Sequence, residues 1–174
     1  MVRVGVVLYG VAPSGKVRGC DELAPVMSLK SVISMIKEID CGDTVSYGCT
    51  YTADKKTKIA TVPVGYADGF WRSNAENGTQ VLVRGQRVNI VGRVCMDQLM
   101  LDVTDVKGVR EGDYITVIGV DKNDRITAED LAKKNGTIGY EMICSIGERV
   151  PRFYIKDHEI VFVKDNIVSY EMSE

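Results

Sequence analysis

Four short segments hold polar side chains that ordinary packing does not require. Ser46-Tyr47-Gly48 sets a tyrosine directly before a glycine, and that glycine lets a ligand or a second chain come close to the backbone. Gly65-Tyr66-Ala67-Asp68-Gly69-Phe70-Trp71-Arg72 is a strand end running into a glycine-flanked loop, with Asp68 placed to stabilise a tight turn. Gly92-Arg93-Val94-Cys95-Met96-Asp97-Gln98 brings a guanidinium, a thiol, a carboxylate and an amide together between two apolar strands, a density of polar groups more typical of a site than of a core. Gly136-Thr137-Ile138-Gly139-Tyr140-Glu141 is a loop entering a helix, and such an entry offers free backbone N–H groups to an anion. Each segment alone has an ordinary explanation, a packed strand tyrosine or a capped turn. Their combination, in this order, is what distinguishes the chain.

The composition narrows what these segments can serve. The chain has 174 residues, 45% of them hydrophobic and 26% charged, enough to bury the core of one domain. Its net charge is -2 with no basic stripe, which argues against nucleic acid as a partner. The cysteines (Cys20, Cys41, Cys49, Cys95 and Cys144) are odd in number and contain no C-x-x-C pair. This disfavours a disulfide scaffold or a zinc site, implies no other metal, and suits a reducing cytoplasm. His158, the only histidine, lies in Lys156-Asp157-His158-Glu159 and reads as an exposed turn, not as part of a catalytic triad. No apolar run reaches the ~20 residues of a membrane span, and no signal peptide precedes the first strand pattern.

The elements that must position the segments are short strands punctuated by glycine. Val4–Tyr9 reads as a buried strand, so the chain opens in mid-element, as if cut from something longer. Residues 11–25 read as a linker. One long strand is expected from Met27 through Met35, with further strands over 44–48, 58–64, 81–83, 87–91, 99–103, 114–119 and 153–163. Arg84-Gly85-Gln86 reads as a hairpin turn. Thr127 and Asp130 form a near relative of a capping box for a helix that Gly136 closes, and 137–146 adds a second helical stretch. The expected fold is mainly β, an antiparallel barrel or sandwich with one or two short helices.

The four segments, together with Arg3-Val4-Gly5 and Arg149-Val150-Pro151-Arg152, resemble the alanine racemases, which use pyridoxal 5'-phosphate (PLP) to interconvert L- and D-alanine for peptidoglycan synthesis. The resemblance implies the C-terminal β-domain of a fold-type III PLP enzyme over residues 26–174. Residues 1–10 would be the last strand of an N-terminal (β/α)8 barrel, and the remainder of that barrel, with its Schiff-base lysine, would lie outside this chain. Lys16, Lys30, Lys55 and Lys56 stand in no matching context. The family works as a head-to-tail homodimer in which each site joins one subunit's barrel to the partner's β-domain.

By the same resemblance Tyr47 would be one of two acid–base groups, and a tyrosine, which normally titrates near pKa ~10, needs cationic surroundings for that task. Arg3 would face the pyridine nitrogen. The N–H groups of Gly5 and Val6 and the Tyr140 hydroxyl would hold the cofactor phosphate. The Met96 N–H would bind the substrate carboxylate, with Asp97 beside it. Tyr66 and Tyr140 would form the inner gate, and Arg72, Arg93 and Ile138 the next layer of the entrance. Gly139 departs from the asparagine common at its position, which would loosen the loop before Tyr140. The retained Tyr140 favours alanine over serine as substrate. Two alternatives remain: a serine/alanine racemase of the vancomycin-resistance type, and a β-barrel interaction domain inert in isolation.

Overall fold

The structure, a computed structural model, describes residues 1–167 apart from Gly15 and Arg18. Its main element is an antiparallel sheet in the order β1-β9-β6-β7-β8-β5-β2, with β10 attached to β9. The strands are β1 (Leu29–Val32), β2 (Met35–Ile39), β3 (Thr44–Val45), β4 (Tyr51–Thr52), β5 (Thr57–Val62), β6 (Gln80–Val83), β7 (Gln86–Val91), β8 (Leu99–Asp102), β9 (Tyr114–Asp121), β10 (Asp124–Ile126), β11 (Arg152–Lys156) and β12 (Glu159–Lys164).

The long strand expected from Met27 to Met35 is broken at Ile33-Ser34, and the break closes the sheet. Ile33 N–H donates to the Asp113 carbonyl on the β9 side, while Ser34 N–H donates to Thr61 of β5. One bent strand thus carries both ends of the strand order, and the sheet becomes a barrel. Ile33, 1% exposed, faces the interior at the bend.

The alternation of side chains defines two faces. Ala60, Val62, Leu99, Leu101, Val81, Val83, Ile115 and Val117 fill the barrel. Ile59, Val91 and Met100, which alternate with the interior residues Ala60, Ile90, Leu99 and Leu101, are also buried, in a small second cluster with Ile39, Val45, Ala53 and Cys95. That second cluster glues the β3–β4 hairpin, and so Tyr47, onto the barrel wall. Each fully buried leucine or valine contributes about 1.5–3 kcal/mol by leaving water.

Turn chemistry fixes the registers. Arg84 and Gly85 both take positive φ (53° and 79°) in the two-residue loop joining β6 to β7, the backbone that a right-twisted hairpin requires. Asp157 and His158 do the same between β11 and β12, so 153–163 is a hairpin and not one strand. Among the described residues three α-helices occur: α1 (Ser73–Glu76), α2 (Ala128–Lys134) and α3 (Gly139–Cys144). The capping box of α2 forms as read, with Thr127 N–H donating to Asp130 Oδ2 and Asp130 N–H to Thr127 Oγ1.

The first segment departs from expectation. Val4–Tyr9 pairs with no strand among the described residues, and a strand without a neighbour leaves its N–H and C=O groups unpaired. Gly5–Tyr9 closes locally into a 3-10 turn instead, ended by the left-handed Gly10. The expected strand over 44–48 likewise stops at Val45, where the chain turns.

One surface fork ties β7 to β10. Arg87 Nε and Nη2 donate to Asp124 at 2.7 and 2.9 Å, and Nη2 also reaches the Arg125 carbonyl. Arg87, and after it the Arg125 N–H, holds the Asp124 carboxyl below its usual range. A lowered folded-state pKa stabilises above the unfolded value, about 3.9, and that contribution is lost as pH falls through the folded value. Asp124→Asn is therefore expected to be modestly less stable than the parent at pH 6, with the gap closing below about pH 4. Urea midpoints across pH measure this; a gap independent of pH would count against the ion pair.

Candidate active site

Three loops meet on the barrel through hydrogen bonds. The first runs through Ser46 and the 3-10 turn Tyr47–Cys49, the second through the 3-10 turn Tyr66–Asp68, and the third through Gly92–Gln98. Tyr66 N–H donates to the Cys95 carbonyl and Ala67 N–H to the Met96 carbonyl, both at 3.0 Å. This approach needs Gly65, since a Cβ there would stand 2.3 Å from each of those carbonyl oxygens. Ser46 Oγ donates to the Arg93 carbonyl at 2.9 Å and lies 3.7 Å from Cys95 Sγ, joining the first loop to the third.

The residue before the tyrosine is strained. Ser46 has φ 70° and ψ 177°, a region that belongs almost wholly to glycine and costs a non-glycine residue about 1–3 kcal/mol. Its hydrogen bond to Arg93 and the buried Val45 beside it hold it there. Such strain is stored where surrounding structure over-determines a position, and here it aims the turn that carries Tyr47.

Tyr47 is 70% exposed and Met96 53%. Neither the hydroxyls of Tyr47, Tyr66 and Tyr140 nor the N–H of Met96 finds a partner among the described residues. The Arg93 guanidinium, half-buried, lies against Gly48, where a Cβ would come 3.3 Å from its Nη1, and it makes no ion pair among the described residues. A cation thus sits beside the tyrosine turn. Arg72 is engaged with its own helix, 3.7 Å from Glu76.

Ile138 caps α3 and Tyr140 lies in its first turn. The far end of that helix is stapled to the second loop by Ser145 Oγ, which donates to the Gly69 carbonyl at 3.1 Å. Gly139 is buried, and a Cβ there would stand 3.4 Å from both Val11 and Glu129, so packing restrains the loop that its missing side chain was expected to loosen. Val11 in turn follows the Gly5–Tyr9 turn, so the N-terminal segment that carries the exposed Arg3 packs through Val11 against the start of α3. No hydrogen bond or ion pair joins Arg3, Gly5, Val6 or Tyr140 to the Tyr47 loop among the described residues.

Asp97, expected beside the Met96 N–H, accepts from Arg149 Nη2 at 2.6 Å, while Arg149 Nε donates to Asp68 at 2.7 Å. Arg149 is the residue that sequence reasoning did not single out; its only signal was the Arg-Val-Pro-Arg match.

This constellation can be set beside known proteins. The family described as "Alanine racemase, C-terminal domain" matches residues 26–154. The chain belongs to the alanine racemase family. It is 49% identical over 165 residues to "Alanine racemase 2" of Caldanaerobacter subterraneus subsp. tengcongensis, covering 95% of this chain and 42% of that protein. Its fold is similar to that of the Clostridium difficile 630 alanine racemase in complex with cycloserine, with TM-score 0.87, 41% identity, 94% of this chain and 43% of the other. It is also similar to the Bartonella henselae alanine racemase with covalently bound pyridoxal phosphate, at TM-score 0.73, 30% identity, 82% and 38%. The chain thus spans about two fifths of the length of the alanine racemases it matches. The four polar segments read from the sequence all lie inside the matched region of this C-terminal domain, and no helix among the described residues is long and apolar enough to cross a membrane.

Proposed function

We propose that this chain is the base-and-gate domain of a PLP-dependent alanine racemase that interconverts L- and D-alanine. The observation that carries the reading is the display of Tyr47, Tyr66 and Met96 together and exposed, the two phenol hydroxyls and the Met96 N–H unpaired among the described residues, by three loops that hydrogen bonds tie to one another. Such a cluster is half of a site, completed by a surface that brings the substrate.

The free donors suit the cofactor. Arg3 makes no ion pair among the described residues, open space lies where Gly5 would carry a Cβ, and the leading N–H groups of a 3-10 turn have no partner inside it. Arg3 would keep the pyridine nitrogen unprotonated, because a guanidinium scarcely gives up its own proton. Gly5, Val6 and Tyr140 would hold the phosphate. When bound, PLP supplies the electron sink for the pair left at Cα. Tyr47 would take or return the Cα proton on the L face, the opposite face being served by a barrel lysine. The free Met96 N–H would bind the substrate carboxylate. Tyr66 and Tyr140 would narrow the entrance, with Arg72, Arg93 and Ile138 around it. The enzyme would be a cytoplasmic head-to-tail homodimer serving peptidoglycan synthesis.

The reading is tested by joining this chain to the N-terminal barrel of a family member. The fusion is expected to racemise alanine, whereas the 174-residue chain alone neither takes up PLP absorbance nor turns over. Turnover by the chain alone, or a fusion that takes up PLP and stays silent, would refute it.

A further inference from the structure

Arg149 lies between α3 and β11 and belongs to none of the roles above. It nonetheless joins residues 81 and 52 positions away: Nε to Asp68 Oδ1 at 2.7 Å, and Nη2 to Asp97 Oδ1 at 2.6 Å. Asp68 is the more buried end of this fork, its side chain 14% exposed, and its second oxygen accepts from Gly65 N–H at 2.8 Å. The same strap holds the Asp68 backbone, through Gly147 N–H to the Asp68 carbonyl, and Gly69, through Ser145 Oγ. The second loop is therefore gripped at three successive points by residues 145–149.

The third loop is held differently. Asp97 is 62% exposed in its side chain, and Arg149 is its one ion-pair partner among the described residues. Tyr66 and Met96 have no side-chain partners of their own there, so their places are set by Asp68 and Asp97 and by the two backbone bonds between their loops. We infer that Arg149 is the positioning residue of the gate: its forked guanidinium locks the Tyr66 loop to the Met96 loop and so fixes the Met96 N–H in place. The inference rests on the racemase reading for what that N–H binds, but not for the lock.

Charge gives the fork a second consequence. Two carboxylates share one guanidinium, and both hold its proton more tightly than usual, Asp68 first. Without Arg149, Asp97 would stand unneutralised beside the N–H proposed to receive an anionic carboxylate, and would repel it. A lysine cannot restore the arrangement, since an ammonium is a point charge and not a two-pronged fork.

The test compares amide hydrogen exchange in the 174-residue chain and in Arg149→Gln. Exchange at Tyr66 and Ala67 is expected to speed up on the order of ten- to a hundredfold, the worth of a charge-assisted hydrogen bond, while Leu101 and Ile115 in the barrel keep their rates. In the barrel fusion the same variant should raise KM for alanine with kcat largely held. Arg149→Lys should recover only part of each effect. Unchanged exchange at Tyr66 and Ala67, or an equal rise throughout the barrel, would overturn the lock; a selective rise with unaltered KM would overturn the positioning role. If Arg149→Gln does not fold, Asp97→Ala, which removes one prong only, is judged by the same outcomes. The exchange measurement needs neither cofactor nor barrel, so it decides the lock even where the fusion shows no turnover.

Discussion

Tyr47→Phe in the barrel fusion is expected to slow Cα proton exchange from L-alanine by about 10²- to 10⁴-fold, the usual worth of a positioned acid–base group, and to leave exchange from D-alanine far less affected. The two isomers present their Cα–H to opposite faces, and a single phenol reaches one of them. Stability should barely move, within about 0.5 kcal/mol, because the hydroxyl has no partner among the described residues and the ring is mostly exposed. Single-turnover exchange in deuterated solvent, started from each isomer, separates the faces. Equal slowing from both would remove Tyr47 from its one-sided role, and no slowing would remove it from the chemistry. The strain at Ser46 bears on this result. A turn held at φ 70° is fixed in direction, so phenylalanine should occupy the same place as the tyrosine it replaces.

What the sequence disclosed followed from how local each feature is. The site segments could be read because Ser46-Tyr47-Gly48 and Gly92–Gln98 are contiguous, and the loops they form depend on their own glycines. The strands of the barrel were legible from alternation, and the α2 cap from two residues three apart. The bend at Ile33-Ser34 was not, because neither residue breaks a strand by propensity. It is imposed by Asp113 and Thr61, far along the chain, at the two strands, β9 and β5, that flank the bend. The Val4–Tyr9 strand failed for the converse reason: its apolar pattern is real, but a strand also needs a neighbour. Arg149 combines both difficulties, since nothing near it in sequence reveals two carboxylates 81 and 52 residues away. Likewise the left-handed backbone at Ser46 has no signature in a serine.

Gly65→Ala is expected to lower the unfolding free energy by about 3 kcal/mol, the upper part of the range for overpacking, and to open the gate as it does so. The backbone of Gly65 is extended, so an alanine can adopt it; the difficulty is space alone. The added Cβ would meet two carbonyl oxygens at 2.3 Å and the Met96 carbonyl carbon at 2.5 Å, none of them on a flexible side chain. Relief requires the second and third loops to part by roughly 1 Å, to ordinary van der Waals contact. The 3.0 Å bonds from Tyr66 and Ala67 would then pass out of hydrogen-bonding range, and the Arg149 fork would be stretched between its two acids. Gly78→Ala is the control: it has positive φ, 64°, and open space around it, so it should cost only the left-handed strain of about 1–2 kcal/mol and leave the gate intact. Urea midpoints and exchange at the Tyr66 and Ala67 amides compare the two. If both variants lose the same stability and keep those amides protected, the close approach at Gly65 is not what holds the loops together, and the site would owe its shape to the Arg149 strap alone.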